Sequence, residues 1–110
     1  MAEEILNYEA TVGAGDIDTL IGELIVADSE EVKVLEVGFE ITGLGTIAGF
    51  IRQRQIDDIN DFVFPDENNR VVKSIPLQGG DRYSFFGTDL SGAPNRMGVC
   101  LVIDRKIKGF

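Results

Sequence analysis

The chain has 110 residues, enough for one domain and little more. An apolar share of 44% beside a charged share of 26% suits a globular chain and excludes a disordered one. A formal net charge of −9, no His and one Cys exclude nucleic-acid binding through the bulk surface, an imidazole-based triad, a His/Cys metal site and a disulfide framework.

Taken from the N-terminus, Met1-Ala2-Glu3-Glu4 is acidic. It lacks the basic start and following apolar stretch of a secretory signal. No apolar run reaches membrane-spanning length, so no membrane span is expected. The expected location is the cytoplasm or a virion assembled there. Residues 3–12 read as an edge strand or as an arm that pairs with a neighbour's sheet edge.

Residues 18–27 are apolar and end at the Asp28-Ser29 turn signal. They are read as a strand, with a helix over residues 16–26, capped by Asp16 or Asp18, as the alternative. Residues 32–42 give the clearest strand: Leu35, Val37, Phe39 and Ile41 share one face, while Glu36, Gly38, Glu40 and Thr42 share the other. Gly43-Leu44-Gly45 breaks the run. A second strand is expected over residues 46–56, with Ala48 and Phe50 on one face and Ile47, Gly49 and Ile51 on the other. The two runs read as a hairpin with a Gly-containing loop.

Phe62-Val63-Phe64 is a further short run, stopped by the polar segment 65–69. Residues 71–77 carry Pro76, which suits an edge strand or a strand end. Residues 82–88 alternate around Tyr83 and Phe85. In the last run Met97, Val99, Leu101 and Ile103 share a face. Seven or eight short strands spaced by about 8–12 residues predict an all-β chain, a single sandwich spanning residues 1–110.

Several groups invite a functional reading. Gly43-Leu44-Gly45-Thr46-Ile47-Ala48-Gly49 follows a strand, as a dinucleotide-binding turn does. Its third glycine comes one residue late, and no amphipathic helix follows, so a turn is the better reading. Asp57, Asp58 and Asp61 form an acidic run that offers oxygen ligands to a hard cation such as calcium. Their spacing does not match an EF-hand loop, and a solvated loop is the plainer reading. Cys100 lies in an apolar strand with no base to activate it, so it packs as a small hydrophobe.

Arg52 and Arg54 sit two apart, on one face of the expected strand. Val32, Val34, Ile47 and Ile51 fall opposite the expected core faces. A small domain does not bury both faces of several strands, so these four positions are expected at subunit contacts. Arg52 and Arg54 are read either as joining them or, as the plainer reading, as a solvated strand face with local salt bridges.

The run Ile75-Pro76-Leu77-Gln78-Gly79-Gly80-Asp81-Arg82-Tyr83-Ser84-Phe85, then Asp89-Leu90-Ser91-Gly92 and a closing strand, has a distinct cadence. It resembles the later strands of small jelly-roll domains in viral coat, spike and fibre proteins. The resemblance covers about a third of the chain. It implies a jelly-roll sandwich that assembles with itself, as a capsid, spike or fibre component, and it carries no site residues over. The expectation is therefore a non-enzymatic structural protein, without cofactors, whose partner is another copy of itself. The alternative is a module that binds carbohydrate or another small ligand through Tyr83, Phe86 and nearby acids, with calcium as a candidate ion.

Overall fold

The computed structural model describes residues 2–60 and 70–107. Eight strands follow in chain order: β1 (Ala2–Val12), β2 (Thr19–Ile25), β3 (Glu30–Ile41), β4 (Gly45–Ile51), β5 (Arg54–Asn60), β6 (Arg70–Leu77), β7 (Arg82–Asp89) and β8 (Asn95–Ile107). Among the described residues there is no helix, so residues 19–25 form a strand and the helical alternative for 16–26 falls away. The strands form two antiparallel four-stranded sheets, ordered β1-β8-β3-β6 and β2-β7-β4-β5.

The two sheets pack face to face over one apolar core, in which alternate residues point inward. From β8 these are Met97, Val99, Leu101 and Ile103, each at most 3% exposed. From β7 they are Tyr83 and Phe85, both fully buried. Phe39 of β3 meets Phe85 of β7 edge to face across the core, with ring centroids 6.1 Å apart and planes at 70°. Full burial of each such side chain contributes about 1.5–3 kcal/mol.

β3 departs from simple alternation. It pairs Val34 with Ile103 but Glu36 with Val102, so Leu35 is an extra residue in the ladder. Such a bulge reverses the parity of the side chains that follow it. Val32 and Val34 therefore face the core together with Val37, Phe39 and Ile41. The expectation that Val32 and Val34 lie outside at subunit contacts is corrected by this bulge.

The segment expected as one strand over residues 46–56 is two strands joined at Arg52-Gln53. Both turn residues have positive φ, 50° and 63°, the signature of a type I′ turn. Ile47 and Ile51 are the inward residues of β4, at 0% and 7% exposure, and Phe50 points out. Their placement at subunit contacts is likewise corrected. The runs on either side of Gly43-Leu44-Gly45 are not a hairpin either, because β3 and β4 belong to different sheets. The chain crosses between sheets there, held by Asn95, whose Oδ1 accepts from the Gly43 amide (2.9 Å) and whose Nδ2 donates to the Leu44 carbonyl (3.1 Å).

The sandwich has two different sides. On one, β1 and β2 lie close together: a Cβ added to Gly22 would stand 2.3 Å from Tyr8 Cγ. On the other, β5 and β6 are bridged by a side-chain ion pair.

Candidate functional site

Two features of the architecture carry functional content. The first is the condition of the four edge strands, because an edge exposes unpaired amides and carbonyls to any other strand. β2 carries a bulge at Ile21. β5 carries a register shift beside Gly49 and the buried charge of Asp57. β6 carries Pro76, a register shift beside Val34 and the inward Lys73. Bulges, prolines and inward charges all discourage strand addition. β1 has no bulge and no proline, and its one inward charge, Glu4, lies near its start beside Arg105 of β8. Its eleven residues pair with β8 in one unbroken register, from Ala2 opposite Arg105 to Val12 opposite Asn95. Its second edge has no partner strand among the described residues. Ile5, in its middle, is 63% exposed.

The second feature is a buried polar cluster. Asp57 of β5 points into the sandwich with a side chain 4% exposed. Its Oδ1 accepts from Lys73 Nζ of β6 at 2.5 Å, and its Oδ2 accepts from the Tyr83 hydroxyl of β7. Gly49 pairs with Asp57 across the ladder, and a Cβ there would stand 2.3 Å from Oδ2, so only glycine leaves room for the carboxyl in this position. Burial, and then the adjoining Asp57 carboxylate, push the Tyr83 hydroxyl well above its ordinary pKa, and it stays protonated.

At one end of the sandwich Asp89 ties two loops together and, through Asn95, the crossing at Gly43 and Leu44 as well. Its carboxylate accepts from the backbone amides of Gly15 (2.8 Å), Ser91 (3.0 Å) and Gly92 (3.0 Å), from the Ser91 hydroxyl (2.6 Å) and from Asn95 Nδ2 (3.1 Å). These donors, the Gly15 amide foremost, hold it below the usual carboxylate range. On the outer face of the β2-β7-β4-β5 sheet runs a groove of about 640 Å³, floored by Phe50, Ser84 and Phe86 and rimmed by Asp18, Asp81, Arg52 and Arg82. Phe50 and Phe86 meet edge to face at 5.8 Å.

The residues singled out in the sequence are dispersed. Arg52 is a turn residue bound to Asp81 of the same chain through two contacts, of 3.0 and 2.5 Å. Arg54 opens β5 and is exposed, so the two arginines do not share a strand face. Asp57 and Asp58 stand on a strand, not in a loop; Asp57 is buried and Asp58 exposed. Asp61, the run 62–64 and the segment 65–69 lie outside the described residues. No group of acids suited to a metal ion occurs among the described residues. Tyr83 is buried and Phe86 lies on the outer face, so the two do not line one surface. Lys73 and Asp89 escaped the sequence reading. Asp89 carried a signal, since Asp89-Leu90-Ser91-Gly92 is a typical Asx-turn sequence.

No protein-family model and no curated protein matches the chain. Among solved structures, it is similar to a protein from "Bacillus endospore appendages", which "form a novel family of disulfide-linked pili". The identity is 12% over 96% of this chain and 87% of the other, with a TM-score of 0.49. It is also similar to part of latent dimeric PorU from Porphyromonas gingivalis, at 12% identity over 93% of this chain and 13% of that one, with a TM-score of 0.37.

Proposed function

We propose that this chain is a non-enzymatic structural protein: a jelly-roll sandwich that assembles with copies of itself by strand addition at β1. The jelly-roll assignment is supported by the nested pairing of β1 with β8, β2 with β7, β3 with β6 and β4 with β5, the pattern of one long hairpin rolled up on itself. Assembly is supported chiefly by the contrast among edges. Three carry breaks or inward charges, and the longest is left regular and open. A strand added there gains a ladder of main-chain hydrogen bonds, with side chains such as Ile5 supplying contact. The cadence of the C-terminal third extends the proposal to a component of a virion shell, spike or fibre. The absence of His from the sequence supports a role without catalysis on a substrate.

Light scattering across a concentration series tests the proposal. The native chain is expected as discrete species at multiples of the monomer mass. Ile5→Lys and Thr11→Lys, both exposed on β1, are expected to shift it to monomer while leaving its melting unchanged. A native chain that is monomeric throughout overturns the proposal.

The outer groove favours a second reading as a binding module. Its aromatic floor suits the apolar face of a sugar, and its rim balances acid against base, which suits a neutral ligand. A glycan panel with no binder removes this reading.

A further inference from the structure

Among the ion pairs formed by described residues, the Lys73–Asp57 pair stands apart. Its side chains are 15% and 4% exposed, whereas every other pair has at least one partner more than a quarter exposed. It also joins strands of opposite sheets. Two full charges taken out of water carry a desolvation cost that their attraction only partly returns. Lysine has an alternative here that arginine does not, because its amine is a nucleophile once neutral.

We propose that Lys73 and Asp57 condense to an amide, a covalent staple between the two sheets. One ammonium proton passes from Nζ to Oδ1, leaving a neutral amine beside a neutral carboxylic acid. Nζ then attacks Asp57 Cγ, and a C–N bond forms. The C–Oδ1 bond breaks, and Oδ1 leaves as water with two of the original ammonium protons; the third remains on the amide nitrogen. No oxidant or co-reactant is needed.

The surroundings favour each part. Nζ already rests 2.5 Å from the leaving oxygen, and both groups are fixed on strands, so most of the entropy of bringing them together is spent in folding. The Tyr83 hydroxyl donates to Oδ2, the oxygen that gathers negative charge as the tetrahedral intermediate forms. Gly49 leaves space for the carboxyl carbon to be approached. The product removes both buried charges and releases a water to solvent.

The test is intact mass spectrometry of the full chain after folding and incubation at neutral pH. The folded chain is expected to be lighter than its sequence mass by one water. Trypsin should then release a branched peptide joining residues 55–70 to residues 71–82, uncut at Lys73. Lys73→Arg keeps the charge but is expected to keep the full mass, and Asp57→Asn to lose one ammonia in place of water. Tyr83→Phe is expected to slow the reaction at least tenfold. An intact mass equal to the sequence mass overturns the proposal and needs no variant to fold. A water loss that persists in Lys73→Arg marks a cyclised aspartate and overturns it equally. Either result leaves the assembly reading standing, since that is read from oligomer mass.

Discussion

Replacing Tyr83 with Phe removes one oxygen and leaves the ring where it is. The ring is fully buried and packs on Phe85 with centroids 4.4 Å apart and planes at 33°, so the substitution opens no cavity worth a side chain. What disappears is a hydrogen bond donated to a buried acceptor on Asp57. While Asp57 is a free carboxylate, before it condenses with Lys73, a bond to it is a bond to a charged partner and contributes about 1.5–3 kcal/mol, so the expected loss in the uncondensed chain is about 2 kcal/mol. Urea unfolding reads it directly. With a slope of about 1.5 kcal/mol per molar for a chain of this size, the midpoint should fall by roughly 1–2 M while the slope stays constant. An alkaline arm provides a second reading. The hydroxyl's folded pKa is raised above its unfolded value, so its contribution is complete below about pH 10 and is lost as pH rises beyond it. The native chain should lose up to about 1.4 kcal/mol per pH unit there on account of Tyr83. Tyr83→Phe should flatten that limb in part only, because partial burial raises Tyr8 as well. A midpoint shift below roughly 0.3 M, with an unchanged alkaline limb, would refute the reasoning about Asp57 and Tyr83.

Other outcomes follow from the same structure. Asp89, held below the usual carboxylate range, stabilises the fold above about pH 4, and that contribution fades as pH falls further; Asp89→Asn should weaken the chain at neutral pH and flatten its acid limb in pH-dependent melts. Gly22→Ala should destabilise by more than the fraction of a kcal/mol usual for a surface change, because the new Cβ meets the Tyr8 ring; Tyr8→Leu should restore part of the loss, as calorimetry can check. A double-mutant cycle of Phe39→Leu and Phe85→Leu should return a coupling of about 0.5–1.5 kcal/mol, since the two rings meet edge to face across the sheets. A coupling near zero would mean that the sheets are held by area alone.

What could be read from the sequence depended on whether alternation ran unbroken. β7 and the inward row of β8 keep strict period two, and their faces were legible residue by residue. β3 was legible as a strand but not in its faces, because an extra residue at Leu35 leaves no mark in composition and reverses parity. The hairpin between β4 and β5 was hidden for a different reason. Its turn is built from Arg52 and Gln53, not the Gly, Asn or Asp that normally tolerate positive φ. The bidentate contact of Arg52 with Asp81 offsets part of a strain of about 1–2 kcal/mol per left-handed residue. Asp57 looked like one acid in a solvated acidic run. Its burial depends on Lys73, sixteen positions on and in the other sheet, a pairing that no local pattern encodes.

The place of β8 has a consequence for synthesis. It follows the other seven described strands in chain order, yet it sits between β1 and β3. Until residues 95–107 have left the ribosome, β1 has no partner strand, and β3 lacks one of its two. The sheet therefore closes only after the seven earlier described strands have emerged, and the pairing that closes it joins residues as far apart in the chain as Ala2 and Arg105. Folding that waits on such distant contacts is slow, on the order of milliseconds to seconds. Throughout that interval β1 is open along both edges, and nascent chains on one message are neighbours. A strand that must eventually accept its own β8 is, for a time, equally open to the β8 of another copy, so local crowding during translation becomes a determinant of whether copies mature singly or entangled.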